Sequence, residues 1–167
     1  MSFREALAAV GCLVDDGVVS AYAIGGAMAM VFWAEPVSTF DLDVFAILPG
    51  ESATLVSLAT LYEWAGARGY AVQHEHIVIE GVPVQVIPAH NLLAEEAVRE
   101  ASTLDFEGVP VRVMRPEHLI ALYLEPAART RKRLERVASL LEDAAVDRSR
   151  LDAILSRYRL ALPEVPP

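Results

Sequence analysis

With 167 residues, 54% of them hydrophobic and 22% charged, the chain can bury the core of one compact domain and is too apolar to be disordered. A net charge of −9 argues against a broad nucleic-acid-binding surface, and no apolar run approaches the ~20 residues of a membrane helix. The N-terminus lacks a secretory pattern, and Cys12, the single cysteine, has no partner for an internal disulfide, so a soluble cytoplasmic protein is expected.

Phe3, Leu7, Val10, Leu13 and Val14 fall on one face of a helix over 3–16, closed by Gly17. "VVSAYAI" (18–24) reads as a buried strand. Gly25-Gly26 breaks it, "AMAMVFWA" resumes as a short helix, and Pro36 stops that helix. "FDLDVFAIL" (40–48) is a second strand, ended by Pro49-Gly50. Ser52 is placed to cap a helix over 53–68, with Leu55, Leu58 and Leu61 inward and Gly69 after it. Residues 70–89 read as two strands joined at Glu80-Gly81, and 91–101 as a helix. "LDFEGVPVRVM" (104–114) shares x-E-G-V-P-V with "IVIEGVPVQVI", which predicts two similar hairpin turns. Pro116 suits the first turn of the next helix, and two more helices follow at 131–145 and 148–160. Strands and helices mix early and helices dominate after about residue 115. The expected class is therefore α+β: a core over 1–114, with a helical part over 115–167 packed on it as the same structural unit.

Chemistry concentrates near residue 40. On a strand, residues i and i+2 face one side about 7 Å apart, so Asp41 and Asp43 project together while Leu42 and Val44 face a core. Two neighbouring carboxylates repel, and a divalent cation such as magnesium, with manganese as its alternative, resolves that conflict with oxygen ligands. An edge strand with a wet outer face would carry the same pair merely solvated. Gly25-Gly26, between a strand and a helix, lets backbone approach a ligand closely and opens a helix N-terminus to an anion; it also suits a tight turn. Thr39 can hydrogen-bond a phosphate.

The order strand, Gly-Gly, short helix, Thr-x-Asp-x-Asp resembles the nucleotidyltransferase superfamily, in particular its minimal members and the nucleotidyltransferase-like proteins of toxin–antitoxin pairs. The resemblance is best over 20–48 and continues through "EGVPVQVIPA", "RPEHLIALYL" and "RTRKRLERV". It implies a mixed β-sheet flanked by helices, magnesium on Asp41 and Asp43 as catalytic metal ligands, and nucleoside triphosphate bound by Gly25 and Gly26, with Thr39 and Lys132 as secondary contacts. The implied reaction passes a nucleotidyl group to a hydroxyl of RNA, protein or a small molecule. A cognate antitoxin or a second copy of the chain are the implied macromolecular partners.

Three positions depart from the family's pattern. Gln85, in "VPVQVIP", stands where a third carboxylate is expected, and a neutral amide is no general base near neutral pH. Val37-Ser38-Thr39 replaces an Arg-x-Thr element, and Lys132-Arg133 replaces Lys-Asp. Glu75, Glu80 and Glu107 are the other carboxylates on hairpin strands that a fold could bring to the site. Gln85 also supports a competing expectation, a binding module or nucleotide sensor that kept the fold without the chemistry. The basic run "ARTRKRLER" holds Lys132, the only lysine, on the helix face opposite Leu134, Val137 and Leu141. His74 and His76 share a face, but without cysteines or further spaced histidines they read as an exposed hairpin.

Overall fold

Alternating burial along the strands organises the molecule. Leu42, Val44 and Ala46 are buried while Asp43, Phe45 and Ile47 are half-exposed, the period-2 pattern of a strand with one face toward a core. The computed structural model describes residues 2–34, 38–50, 58–128 and 130–163. Within them the chain runs α1 (Phe3–Asp15), β1 (Ala21–Ile24), α2 (Gly26–Trp33), β2 (Leu42–Ile47), α3 (Ala59–Ala67), β3 (Ala71–Gln73), β4 (His76–Ile79) and β5 (Val82–Pro88). It continues through α4 (Leu92–Arg99), β6 (Ser102–Phe106), β7 (Val109–Val113), α5 (Pro116–Leu124), a 3-10 turn (Pro126–Ala128), α6 (Arg131–Asp143) and α7 (Arg148–Tyr158).

The strands form one mixed sheet in the order β3-β4-β5-β2-β1-β7-β6. β2 runs antiparallel to β1 and parallel to β5, and β1 runs parallel to β7. This is the α+β mixed sheet with helices that the sequence predicts. α1 packs on β4, β5 and β7, while α4 packs on β1 and β2. α5, buried along its whole length, packs against α4, α6 and α7. The helices after residue 115 thereby share one continuous core with the sheet, from Ala6 to Leu155. No helix among the described residues is long and apolar enough to cross a membrane.

Local chemistry explains most boundaries. The Ser2, Asn91, Thr130 and Asp147 side chains accept from the backbone N–H three residues on, capping α1, α4, α6 and α7. Pro116 opens α5, where its missing N–H costs nothing. α2 is apolar all round because it is enclosed, lying against β2 and α6. The paired E-G turns are alike in geometry as well as sequence: Glu80 and Glu107 have φ of 50° and 51°, and the glycines after them 79° and 82°. These are left-handed two-residue hairpin turns, where Asn-Gly is the preferred pair. Glu107→Asn is therefore expected to stabilise the fold by about 0.5–1 kcal/mol, because a glutamate held at positive φ is strained. Thermal melting of the variant checks it, and an unchanged or lowered midpoint would count against the strain.

Two expected elements differ. The segment 70–89 holds three strands, because His74-Glu75 makes an additional turn between β3 and β4. His74 takes φ of 55° there without a glycine to announce it. The third helix begins at Ala59 without a side-chain cap, and Ser52, Leu55, Pro36 and Val37 lie outside the described residues.

Candidate active site

Strand pairing sets one row of side chains across the sheet. Asp43 of β2 pairs with Gln85 of β5, and Gln85 pairs with His76 of β4. All three are half-exposed, while their neighbours Leu42, Val84 and Ile77 are buried on the opposite face. The row continues past Asp43 to the glycine turn, where the Gly25 N–H donates to the Asp43 carbonyl at 2.9 Å.

The glycines are required by what lies against them. A Cβ on Gly25 would stand 2.6 Å from the Phe45 ring, and a Cβ on Gly26 would stand 1.9 Å from Asp43 Oδ2. Gly26 also holds φ of +57°, which L side chains rarely adopt. The turn thus closes directly over the Asp43 carboxylate. Gly25 is buried and Gly26 faces the site.

Asp41 and Asp43 line a cleft of about 510 Å³ together with Thr39, Phe40, His74 and His76. Lys132 and Arg136 of α6 close its other side, so the basic helix face predicted from sequence meets the acidic pair. A narrower recess of about 230 Å³ joins it through Asp43 and Arg136, and holds Gly26, Gln85, Tyr123 and Arg133. The Thr39 hydroxyl lies 3.0 Å from Asp41 Oδ1 and 3.1 Å from the Asp41 carbonyl, and its one proton donates to either, steadying the exposed carboxylate. Phe40, 70% exposed, stands at the rim.

Burial, and next the charge of Asp41, push the Asp43 carboxyl above its ordinary value; Arg136, His76 and Arg133 pull it partly back. A carboxylate burdened in this way fits a divalent cation, which would offset both penalties. Among the described residues, the one grouping of three candidate ligands lies elsewhere, at Glu96, Glu100 and His118. There Arg157 pairs with Glu96 at 2.6 Å and Arg150 with Glu100 at 2.9 Å. Burial raises Glu96, but hydrogen bonds from Tyr158, Arg157 and His118 outweigh it and hold that carboxyl below its ordinary value. That cluster already has its cations and ties α4, α5 and α7 together.

Tyr123 and Arg133 were not singled out in the sequence as site residues. The Tyr123 hydroxyl donates to the Gly26 carbonyl at 3.0 Å, and Arg133 and Arg136 lie over its ring at 5.9 and 5.7 Å. Burial raises its pKa, against the pull of Arg136, so the phenol remains a neutral donor. Tyr123→Phe is expected to cost about 0.5–1.5 kcal/mol by removing that hydrogen bond. If the site binds nucleotide, weakened nucleotide affinity accompanies it, measured by thermal melting with and without magnesium and ATP. None of Glu75, Glu80 or Glu107 lines the cleft, and Glu80 and Glu107 sit in turns at the far end of β4 and on the opposite sheet edge.

A search with protein-family models finds none that matches, and no curated protein matches the chain in sequence. Solved structures do. A nucleotidyltransferase-like antigenic protein from Paracoccidioides brasiliensis is similar with a TM-score of 0.54 at 15% identity, covering 95% of this chain and 88% of that one. The antibiotic-resistance factor ANT(2'')-Ia in complex with adenylyl-2''-tobramycin gives 0.53 at 18% identity, with 90% and 92% covered. Its solution structure gives 0.51 at 19% identity, with 90% and 87% covered. The chain has the nucleotidyltransferase fold. On that fold, Asp43 pairs in register with Gln85, the position from which a third carboxylate was expected by resemblance.

Proposed function

We propose that this nucleotidyltransferase-fold protein transfers a nucleotidyl group from a nucleoside triphosphate to an acceptor hydroxyl, with magnesium or manganese held by Asp41 and Asp43. The observation that carries the reading is the juxtaposition of that acidic pair with the Gly26 turn on one side and Lys132 and Arg136 on the other. The metal would supply charge neutralisation at the phosphate oxygens. Gly25 and Gly26 allow the close backbone approach a phosphate needs, and the two cations face its remaining charge. Thr39 holds Asp41 in place.

A cleft of about 510 Å³ in a chain of net charge −9 suits a small, uncharged or cationic acceptor better than RNA or a protein. The ANT(2'')-Ia complex with adenylyl-2''-tobramycin is consistent with such an acceptor. The test supplies α-labelled nucleoside triphosphates and magnesium with tobramycin, a total tRNA pool, or the protein alone. Label on the small molecule is the expected result, and label on tRNA or protein would move the acceptor to that class. No transfer to any of them would sink the catalytic reading.

Gln85 favours a second reading, a binding module that senses a nucleotide or pairs with a cognate antitoxin or a second copy. Melting with magnesium and each nucleotide separates them: metal-dependent stabilisation without transfer supports a sensor, and no shift supports a protein-interaction role.

A further inference from the structure

Position 85 holds an amide, and among the described residues no carboxylate besides the proposed metal ligands Asp41 and Asp43 lines the cleft to take the acceptor's proton. We infer that His76 is the general base, an assignment that rests on the nucleotidyl-transfer reading above. Two observations converge on it. His76 is the residue in register with Gln85, on the same face, one strand further from Asp43. It lines the cleft that holds Asp41 and Asp43, facing His74, Lys132 and Arg136, whereas Glu75 and Glu80 do not line it. A neutral imidazole also offers a ring nitrogen that can accept a proton, which the Gln85 amide does not.

The order of the row matches the geometry of the reaction. Gly25, Asp43, Gln85 and His76 succeed one another across the sheet. Displacement at phosphorus places the attacking and leaving oxygens roughly in line. With the leaving phosphates at the glycine end, the acceptor enters from the His76 end. Two strand spacings, roughly 10 Å, separate the Asp43 and His76 backbones, with Gln85 on the strand between them, so the reacting atoms lie above Gln85. The unprotonated imidazole nitrogen takes the hydroxyl proton as the acceptor oxygen forms its bond to the α-phosphorus. The bond from that phosphorus to the oxygen bridging the β-phosphate breaks, and its electron pair leaves on pyrophosphate. The imidazolium then gives its proton to solvent through the open cleft. Gln85 lies between the two in register and lines the adjoining recess, from which its amide can hydrogen-bond an acceptor that reaches Asp43.

The experiment compares the unmodified protein with H76A, Q85E and H76A/Q85E, using α-labelled ATP, magnesium and the same three acceptors. H76A is expected to slow transfer by roughly 10²–10⁴-fold, while its melting temperature and its stabilisation by magnesium and ATP stay those of the unmodified protein. Placing a carboxylate beside Asp43 is expected to restore most of the lost rate in H76A/Q85E. Transfer by H76A at the unmodified rate overturns the assignment alone. So does a nucleotide-dependent melting shift that falls in step with the rate, or a failure of Q85E to rescue. Absence of transfer by the unmodified protein removes the reading beneath it and the assignment together.

Discussion

Asp43→Asn is expected to make the protein more stable at neutral pH while removing nucleotidyl transfer. Burial first, and the charge of Asp41 second, raise the Asp43 carboxyl above its ordinary value of 3.8. As pH rises, the unfolded chain therefore sheds this proton before the folded one does. Stability falls through the window between the two values, and above it the burden of the charged, buried carboxylate is fully present. Asparagine keeps nearly the same shape and stays neutral, so the variant escapes that burden. An increase of roughly 2–4 °C in melting temperature, the response of a chain this size to about 1 kcal/mol, is expected at pH 7.5. Below the ordinary carboxyl value both proteins are neutral at this position, and the difference vanishes. Magnesium should raise the melting temperature of the unmodified protein and not that of the variant. With Asp43 holding the metal as proposed, transfer should drop on the order of 10²–10³-fold, because several kcal/mol of charge stabilisation would be lost with it. A variant less stable at pH 7.5 would show that Asp43 is held by favourable partners, and retained transfer would remove it from the site.

That opposition of stability and chemistry was half-visible in the sequence. The alternation in "FDLDVF" already put Asp43 on the strand face opposite Leu42 and Val44, because a one-residue slip would bury it and expose Leu42. The repeated Glu-Gly pair gave both hairpin turns for the same local reason. What stayed hidden depends on contacts between distant parts of the chain. The β3–β4 turn carries neither Gly nor Asn, so nothing local separated those strands or aimed His76 at the cleft. Tyr123 lies in the apolar run "LIALYL" and reads as core, yet its hydroxyl reaches a carbonyl 97 residues earlier. Arg133 replaces an expected aspartate, and only the packing of α6 shows it turned toward Tyr123 and the Asp43 recess. Gly26 is the intermediate case. Sequence marked it as a turn that admits phosphate, and the structure adds that the turn also encloses a carboxylate.

Gly26→Ala should therefore have a cost beyond that of an ordinary glycine substitution. The backbone at φ of +57° alone penalises an L side chain by about 1–2 kcal/mol. The added methyl also stands 1.9 Å from Asp43 Oδ2 and 2.8 Å from its Cγ. Either the carboxylate swings away or the first turn of α2 unwinds, and unwinding would break the Tyr123 bond to the Gly26 carbonyl. A total loss of roughly 2–4 kcal/mol is expected in denaturant unfolding, with transfer falling on the order of 10²-fold as Asp43 leaves its position. Gly25→Ala is the comparison. Its φ of −120° is ordinary, and its methyl would press on the Phe45 ring instead of on the acidic pair. It should cost stability without uncoupling Asp43. A double-mutant cycle isolates the contact: Asp43→Ala removes the oxygen the new methyl strikes, so G26A/D43A should be less destabilised than the sum of its parts, by roughly 0.5–3 kcal/mol. Additive effects would mean that the methyl is accommodated without touching Asp43. In that event the glycine serves the backbone conformation of the turn and does not make room for the carboxylate.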